Sequence, residues 1–294
     1  MFLYRFYDVA INKSPLHIQT TSQKTKNIPI LPCQSWANVY VIMYHYIREP
    51  DKRDSNIVAR LSVPIGPFRE QMKKAHELVL KDIIAIHNLS EVEKMEKNHC
   101  YTHKNIFVFT ADDGWSDTYD ILAPIAREYK IPFSFSIISG KLDVPGFITT
   151  TQLKELIKNP LFSIMSHSIN HLDQGKIPRE TEKQEMCDSK NILESLTQKP
   201  INTFIYPAGR MSASSQEIAK ECGYTYAFTT NFWISYEKSK TKYDINRYRI
   251  SDSTLPSFFE YLISLKNNNS SFSWTQNSQT DSGVNWNNYL QVTK

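Results

Sequence analysis

The sequence predicts an α/β chain built on a parallel sheet with helical crossovers, closed as a barrel or left as an open sheet. Apolar runs of strand length alternate with segments of helical periodicity at least five times. The polar clusters that follow those runs sit at strand carboxyl ends, which in a barrel is the face where active sites are assembled. The 294 residues, 40% hydrophobic and 12% aromatic, suffice for one large domain of this kind or two small ones.

Residues 1–35 are polar and aperiodic after a short aromatic opening, and read as an N-terminal extension. The first strong strand, residues 39–43, delivers Tyr44, His45 and Tyr46 at its carboxyl end. Pro67 then opens a helix with Phe68, Met72, Ala75 and Val79 on one face and Arg69, Lys73 and Lys74 on the other. Residues 83–86 form the next strand, and the charged piece 91–97 is helical or faces solvent. The apolar run 106–109 is a buried strand ending in Asp112, Asp113 and Gly114. Asp117 caps a helix through Tyr119, Leu122 and Ile125, in which Pro124 forces a kink or an early restart.

Strand 133–138 follows, then a helix capped by Thr150 or Thr151 and containing Leu153, Leu156 and Ile157. Strand 162–165 runs straight into the segment from Ser166 to His171. A charged helix over 181–196 leads to strand 203–206, which Pro207, Ala208 and Gly209 close. Ser214 and Glu217 form a capping box, and Gly223 stops that helix. Residues 226–229 and 248–250 are the last strands, and the chain from 267 is a polar, flexible tail.

The 34 basic and 30 acidic residues leave a net charge of only +4, and the basic ones are scattered, so nucleic acid is not indicated as a partner. No run of 18 apolar residues exists to form a transmembrane segment, and the opening MFLYRFYDVAINK lacks an export signal, which places the chain in the cytoplasm by sequence. The four cysteines, without a CxxC pair, read as ordinary packed or free thiols, and they do not settle the compartment because an even count permits disulfides and cytosolic thiols equally.

Charge at the end of a buried strand needs compensation. His167 and His171 are spaced so that both imidazoles can meet one ion if the segment makes a helical turn or a tight loop. With Asp113 they make a two-histidine, one-carboxylate set, suited to Zn²⁺ or another borderline divalent ion, with one position left for water. Such an ion lowers the pKa of water and polarises a carbonyl oxygen. Asp112 is then the general base, and His45, at the end of the first strand, the general acid.

With these residues in place, the chain resembles the polysaccharide deacetylases of carbohydrate esterase family 4, the NodB-homology domain, over roughly residues 38–264. TADDGW is similar to the family's TFDDG, SHSINH to its H-S/T-x-x-x-H metal motif, and FIYPAG to its PPYG-type segment. The resemblance implies a single distorted (β/α) barrel of about seven strands, spanning residues 36–266. It also implies metal-dependent removal of N- or O-acetyl groups from sugars, with Zn²⁺ first among ions and Co²⁺, Mn²⁺ or Ni²⁺ as substitutes. The partner it implies is an N-acetylated glycan, and its setting lies outside the cytoplasmic membrane.

By position, the family's base falls on Asp112 and its metal ligands on Asp113, His167 and His171. Substrate contacts fall on Tyr206 and Ala208, the latter through an oxyanion-stabilising backbone N–H. The late L-x-H motif that carries the acid in many members is absent, but IMYHYI is similar to the early MYH segment of the circularly permuted poly-β-1,6-N-acetylglucosamine deacetylases, which assigns the role to His45. Ala111 replaces the usual Phe, Ala208 replaces an aromatic, and no arginine precedes YPAG; Arg247 in INRYRI resembles an arginine of the permuted subgroup and supports the base in its place. A glycan-binding barrel with little turnover and a barrel hydrolase of a small cyclic amide are the alternative readings.

Overall fold

The computed structural model describes residues 33–230, 241–251 and 254–267. The expected extension and tail therefore lie outside the described residues, apart from 33–35 and 267. Among the described residues eight strands form one parallel sheet: β1 (Asn38–Tyr44), β2 (Ala85–Ile86), β3 (Asn105–Ala111), β4 (Phe133–Ile137), β5 (Phe162–Ser166), β6 (Thr203–Ile205), β7 (Tyr226–Phe228) and β8 (Tyr248–Arg249). Their order is β7-β6-β5-β4-β3-β1-β8, and β2 shares an edge of β3 with β4. Helices α1 (Asn56–Leu61), α2 (Ile65–Leu80), α3 (Leu89–Lys97), α4 (Ala123–Glu128), α5 (Thr150–Leu156), α6 (Arg179–Thr197), α7 (Ser215–Glu221) and α8 (Phe258–Asn267) fill the crossovers and follow the last strand.

The sheet curls into a distorted barrel, and one strip of chain joins its two ends. Ile245 donates to and accepts from β7, through the Ala227 carbonyl and the Thr229 N–H, and five residues on the Ile250 N–H donates to Met43 of β1. The seven strands of the main path match the barrel expected from the resemblance.

Alternation along the strands sorts side chains into two layers. Val39 and Val41, Ile106 and Val108, Met165, Ile205, Tyr226 and Phe228 share the smaller cluster inside the barrel. Tyr40, Ile42 and Tyr44, Phe107 and Phe109, Phe133, Phe135 and Phe204 pack outward with the helices in the larger one. β1 and β3 run in register from Asn38↔Asn105 to Tyr44↔Ala111, so their inward columns climb together toward the carboxyl ends.

Local details depart from expectation where a side chain found a better partner than the backbone beside it. α2 starts at Ile65, two residues before Pro67, and buries Leu78 rather than Val79. Thr149, not Thr150 or Thr151, caps α5, in a capping box with Gln152. Ser214 makes no cap, because its hydroxyl joins Ser212 and the buried Glu182. Asp117 does not cap either; its carboxylate accepts the Ile47 N–H at 2.7 Å. The chain there winds as a π-helical turn over Thr118–Leu122, and α4 restarts with Pro124 in its first turn, where the missing N–H is harmless.

The cysteines correct the thiol reading. Cys33 is bonded to Cys100 and Cys187 to Cys222. Partners 67 and 35 residues apart carry no local spacing signal, since only the tertiary fold brings them together. Among the described residues no helix is long and apolar enough to cross a membrane.

Candidate active site

The inward columns of the barrel end in the carboxylate and histidine side chains that the sequence nominates for chemistry. On β3 the inward series Ile106, Val108, Thr110 runs on to Asp112, whose N–H donates to the Tyr44 carbonyl and extends the ladder by one step. On β5 the same phase leads from Met165 to His167, whose N–H donates to Ile137. His45 follows β1 at the same height.

The backbone then leaves strand geometry. Asp113 (φ 73°) and Gly114 (φ 75°) are both left-handed, and the turn brings Asp113 to the same mouth as Asp112. Ser168 (φ 63°) and His171 (φ 61°) are left-handed too, so the two histidines sit on a tight loop rather than a helical turn. Left-handed non-glycine residues are each unfavourable by about 1 kcal/mol or more, and their concentration here marks a place where geometry is held against local preference.

Buried polar contacts hold that loop. The Glu185 carboxylate of α6 accepts the N–H groups of Ile169 and Asn170 and the Asn170 side-chain amide, at 3.0, 2.8 and 2.6 Å. The Ser168 hydroxyl accepts the His171 N–H at 2.9 Å. His167 has its Nδ1 2.8 Å from the Ile205 carbonyl, which fixes the ring and leaves Nε2 for the mouth.

One oxygen of Asp113 lies 3.2 Å from His167 Nε2 and 3.5 Å from His171 Nε2, and the three donor atoms fall within 4.8 Å of one another. Ligands at about 2.0–2.1 Å around a tetrahedral ion stand roughly 3.3 Å apart, so the set fits a divalent cation of zinc's size.

Asp112 is held differently. Arg247 donates Nη1 to Oδ1 at 2.8 Å and Nη2 to Oδ2 at 2.7 Å, and the Ser136 hydroxyl adds a third bond at 2.7 Å. Arg247 is itself 1% exposed, with Nε on the Thr229 carbonyl and Nη1 also on the Thr110 hydroxyl. Burial alone would raise the Asp112 carboxyl, but the guanidinium outweighs it and holds the group well below the usual carboxylate range. Asp113 is lowered too, its burial outweighed by the hydrogen bond and charge of His167. His167 is raised in turn, because both carboxylates overcome its burial. Burial lowers His45 and His171 below an ordinary imidazole, and the carboxylates only partly oppose it. His45 Nε2 stands 4.0 Å from Asp112 Oδ2, with Nδ1 buried and unpartnered among the described residues.

Ala208 lies exposed and left-handed (φ 52°) in the 3₁₀ turn Pro207–Gly209, and its N–H meets no acceptor among the described residues. Gly209 (φ 68°) is required beside it, since a Cβ there would collide with the Thr230 hydroxyl and backbone. Tyr206 is the exception among the expected site residues. It is fully buried, packed edge-on to Phe204 in the outer layer, so its ring offers no surface to a ligand. The strand's phase decides this: Ile205 points inward and its neighbour cannot.

Sequence reasoning gave no role to Ser136, Glu185 or Thr110. The inward phase of β3 and β4 would have nominated Thr110 and Ser136; Glu185, sixteen residues from Ile169 on a charged helix, left no such trace.

Fold and side chains together define a hydrolase on a (β/α) barrel. Residues 98–227 match the family model for polysaccharide deacetylase, a span that holds both carboxylates, both loop histidines and Ala208 but neither His45 nor Arg247. The chain is 25% identical over 231 residues to YxkH of Bacillus subtilis strain 168, named as a candidate polysaccharide deacetylase, covering 78% of each. It is 26% identical over 250 residues to a poly-β-1,6-N-acetyl-D-glucosamine N-deacetylase of Staphylococcus aureus, covering 75% of this chain and 80% of that one. Among solved structures it is similar to the Streptococcus pyogenes deacetylase PplD in complex with acetate, with a TM-score of 0.68, 25% identity, and 78% and 97% of the two chains covered. The chain thus carries a polysaccharide deacetylase match over residues 98–227 and is similar to such deacetylases over about three quarters of its length.

Proposed function

We propose that this protein removes N-acetyl groups from an N-acetylated polysaccharide or oligosaccharide, releasing acetate. One observation carries the reading: two carboxylates and three histidines, from segments around positions 45, 112 and 170, converge at one barrel mouth. The similarity to the staphylococcal N-deacetylase supports the choice of glycan.

Asp113, His167 and His171 would hold a divalent ion, Zn²⁺ best by donor type, with Co²⁺, Mn²⁺ or Ni²⁺ as alternatives. When bound, such an ion acidifies water and polarises the amide carbonyl. Asp112, ionised across the working pH range and aimed by Arg247 and Ser136, takes the proton of the attacking water. The Ala208 N–H faces the charge that develops on the amide oxygen. His45, across the 4.0 Å gap from Asp112, passes a proton to the departing sugar nitrogen, and the C–N bond breaks. Arg247 touches no substrate; it keeps Asp112 charged and still.

Acetate release from N-acetylglucosamine oligomers, with Zn²⁺ or Co²⁺ and then with a chelator, tests the assignment. Turnover should require the ion and fall by about 10²–10⁴ in Asp112→Asn. No acetate from any such oligomer, with Asp112→Asn unchanged, would sink it.

A further inference from the structure

The second oxygen of Asp113 has a partner of its own. While Oδ1 faces the two histidine Nε2 atoms, Oδ2 accepts the indole N–H of Trp115 at 2.9 Å. An indole nitrogen donates and never accepts, so Oδ2 is the acceptor in this contact. The ring is clamped. Tyr46 and Phe147 both stack on it, at 4.7 and 4.2 Å, and the Arg48 guanidinium covers Tyr46 at 4.8 Å. The backbone is pinned as well: Trp115 bridges Phe147, Ser116 donates to Gly146 and Ile148 donates to Gly114, both at 2.9 Å.

We infer that Trp115 is a positioning residue that limits Asp113 to one-oxygen ligation of the ion. The inference rests on the metal reading above and deepens it. A carboxylate with both oxygens free can close on a cation through both, adding a ligand and favouring ions that take six or more oxygens. Here Oδ2 could join only by giving up a charge-assisted hydrogen bond from a donor that cannot follow it. The site is thereby biased to low coordination number, and so to Zn²⁺ and Co²⁺ over Mn²⁺ and Ca²⁺.

Trp115→Phe keeps a stacking ring and deletes the donor. Its Zn²⁺ and Mn²⁺ affinities, read by competition with a chromogenic chelator, should show a Zn²⁺:Mn²⁺ preference narrowed about tenfold or more. The visible absorption of the Co²⁺ form should weaken as coordination number rises. In the unaltered protein, one indole N–H resonance should be broadened away by Co²⁺, yet stay sharp and slow to exchange with Zn²⁺ bound; this measurement needs no variant to fold. If the unaltered protein takes up none of these ions, the metal reading fails and the inference with it. If it binds Zn²⁺ but Trp115→Phe matches it in preference and spectrum, or no such resonance exists, only the role of Trp115 is overturned.

Discussion

Arg247 and Asp112 meet through two parallel hydrogen bonds of 2.8 and 2.7 Å across 135 residues of sequence, both side chains out of solvent. A buried pair of this kind contributes little as a pair, yet removing one member strands the other. Arg247→Ala should therefore destabilise the fold by about 3–5 kcal/mol, and Asp112→Asn combined with Arg247→Met should recover part of that. Urea denaturation of both variants and the unaltered protein measures it, and equal stability of Arg247→Ala and the unaltered protein would refute it.

His45→Ala should lower kcat by about 10²–10⁴ while leaving KM and Zn²⁺ affinity close to their starting values. Added imidazole should restore part of the rate. A change confined to KM would make His45 a binding group rather than an acid.

Glu185 holds the backbone between the two loop histidines through three hydrogen bonds. Glu185→Ala should weaken Zn²⁺ binding by about 10–100-fold. Chelator competition reads this directly, and unchanged affinity would mean that the loop holds its shape without α6.

Asp117 gives a pH test of stability. Burial outweighs its bond from Ile47 and raises its carboxyl from 3.8 to about 6, so the folded state binds this proton more tightly than the unfolded one. Its stabilising contribution is complete below about pH 4 and lost as pH rises through 6, roughly 3 kcal/mol in all. Asp117→Asn, which cannot ionise, should lack that component: from pH 4 to pH 7 its stability should gain on the unaltered protein's. Parallel curves would assign Asp117 an ordinary pKa.

The Cys187–Cys222 bond ties α6 to the end of α7. The Cys187→Ser, Cys222→Ser double variant should lose about 2–4 kcal/mol, measured in denaturant, and its stability should no longer respond to reductant through this pair.

How much of this was legible in the sequence depended on whether the cue was local. Each strand's place was readable because apolar runs of strand length are their own signal, and Asp113, His167 and His171 were readable because motif spacing survives without a structure. The phase of a strand was readable in principle: the inward series through Ile205 turns Tyr206 away, and assigning Tyr206 to substrate overlooked it. Caps were misplaced wherever a side chain had a tertiary option, as Asp117 has in Ile47 and Ser214 in Glu182. The disulfides and the Glu185 brace involve long separations with no periodic trace, so only coordinates could reveal them.

The strip that joins β7 to β1 also bears Arg247, so enclosure of the sheet and charge compensation of Asp112 are one event. A nascent or partly melted chain missing that strip would leave its carboxylate uncompensated and drawn to a proton. Under the proposed mechanism, competence for hydrolysis is reserved for molecules in which that strip has docked, and a transient opening there would switch off turnover well before the remainder of the protein came apart.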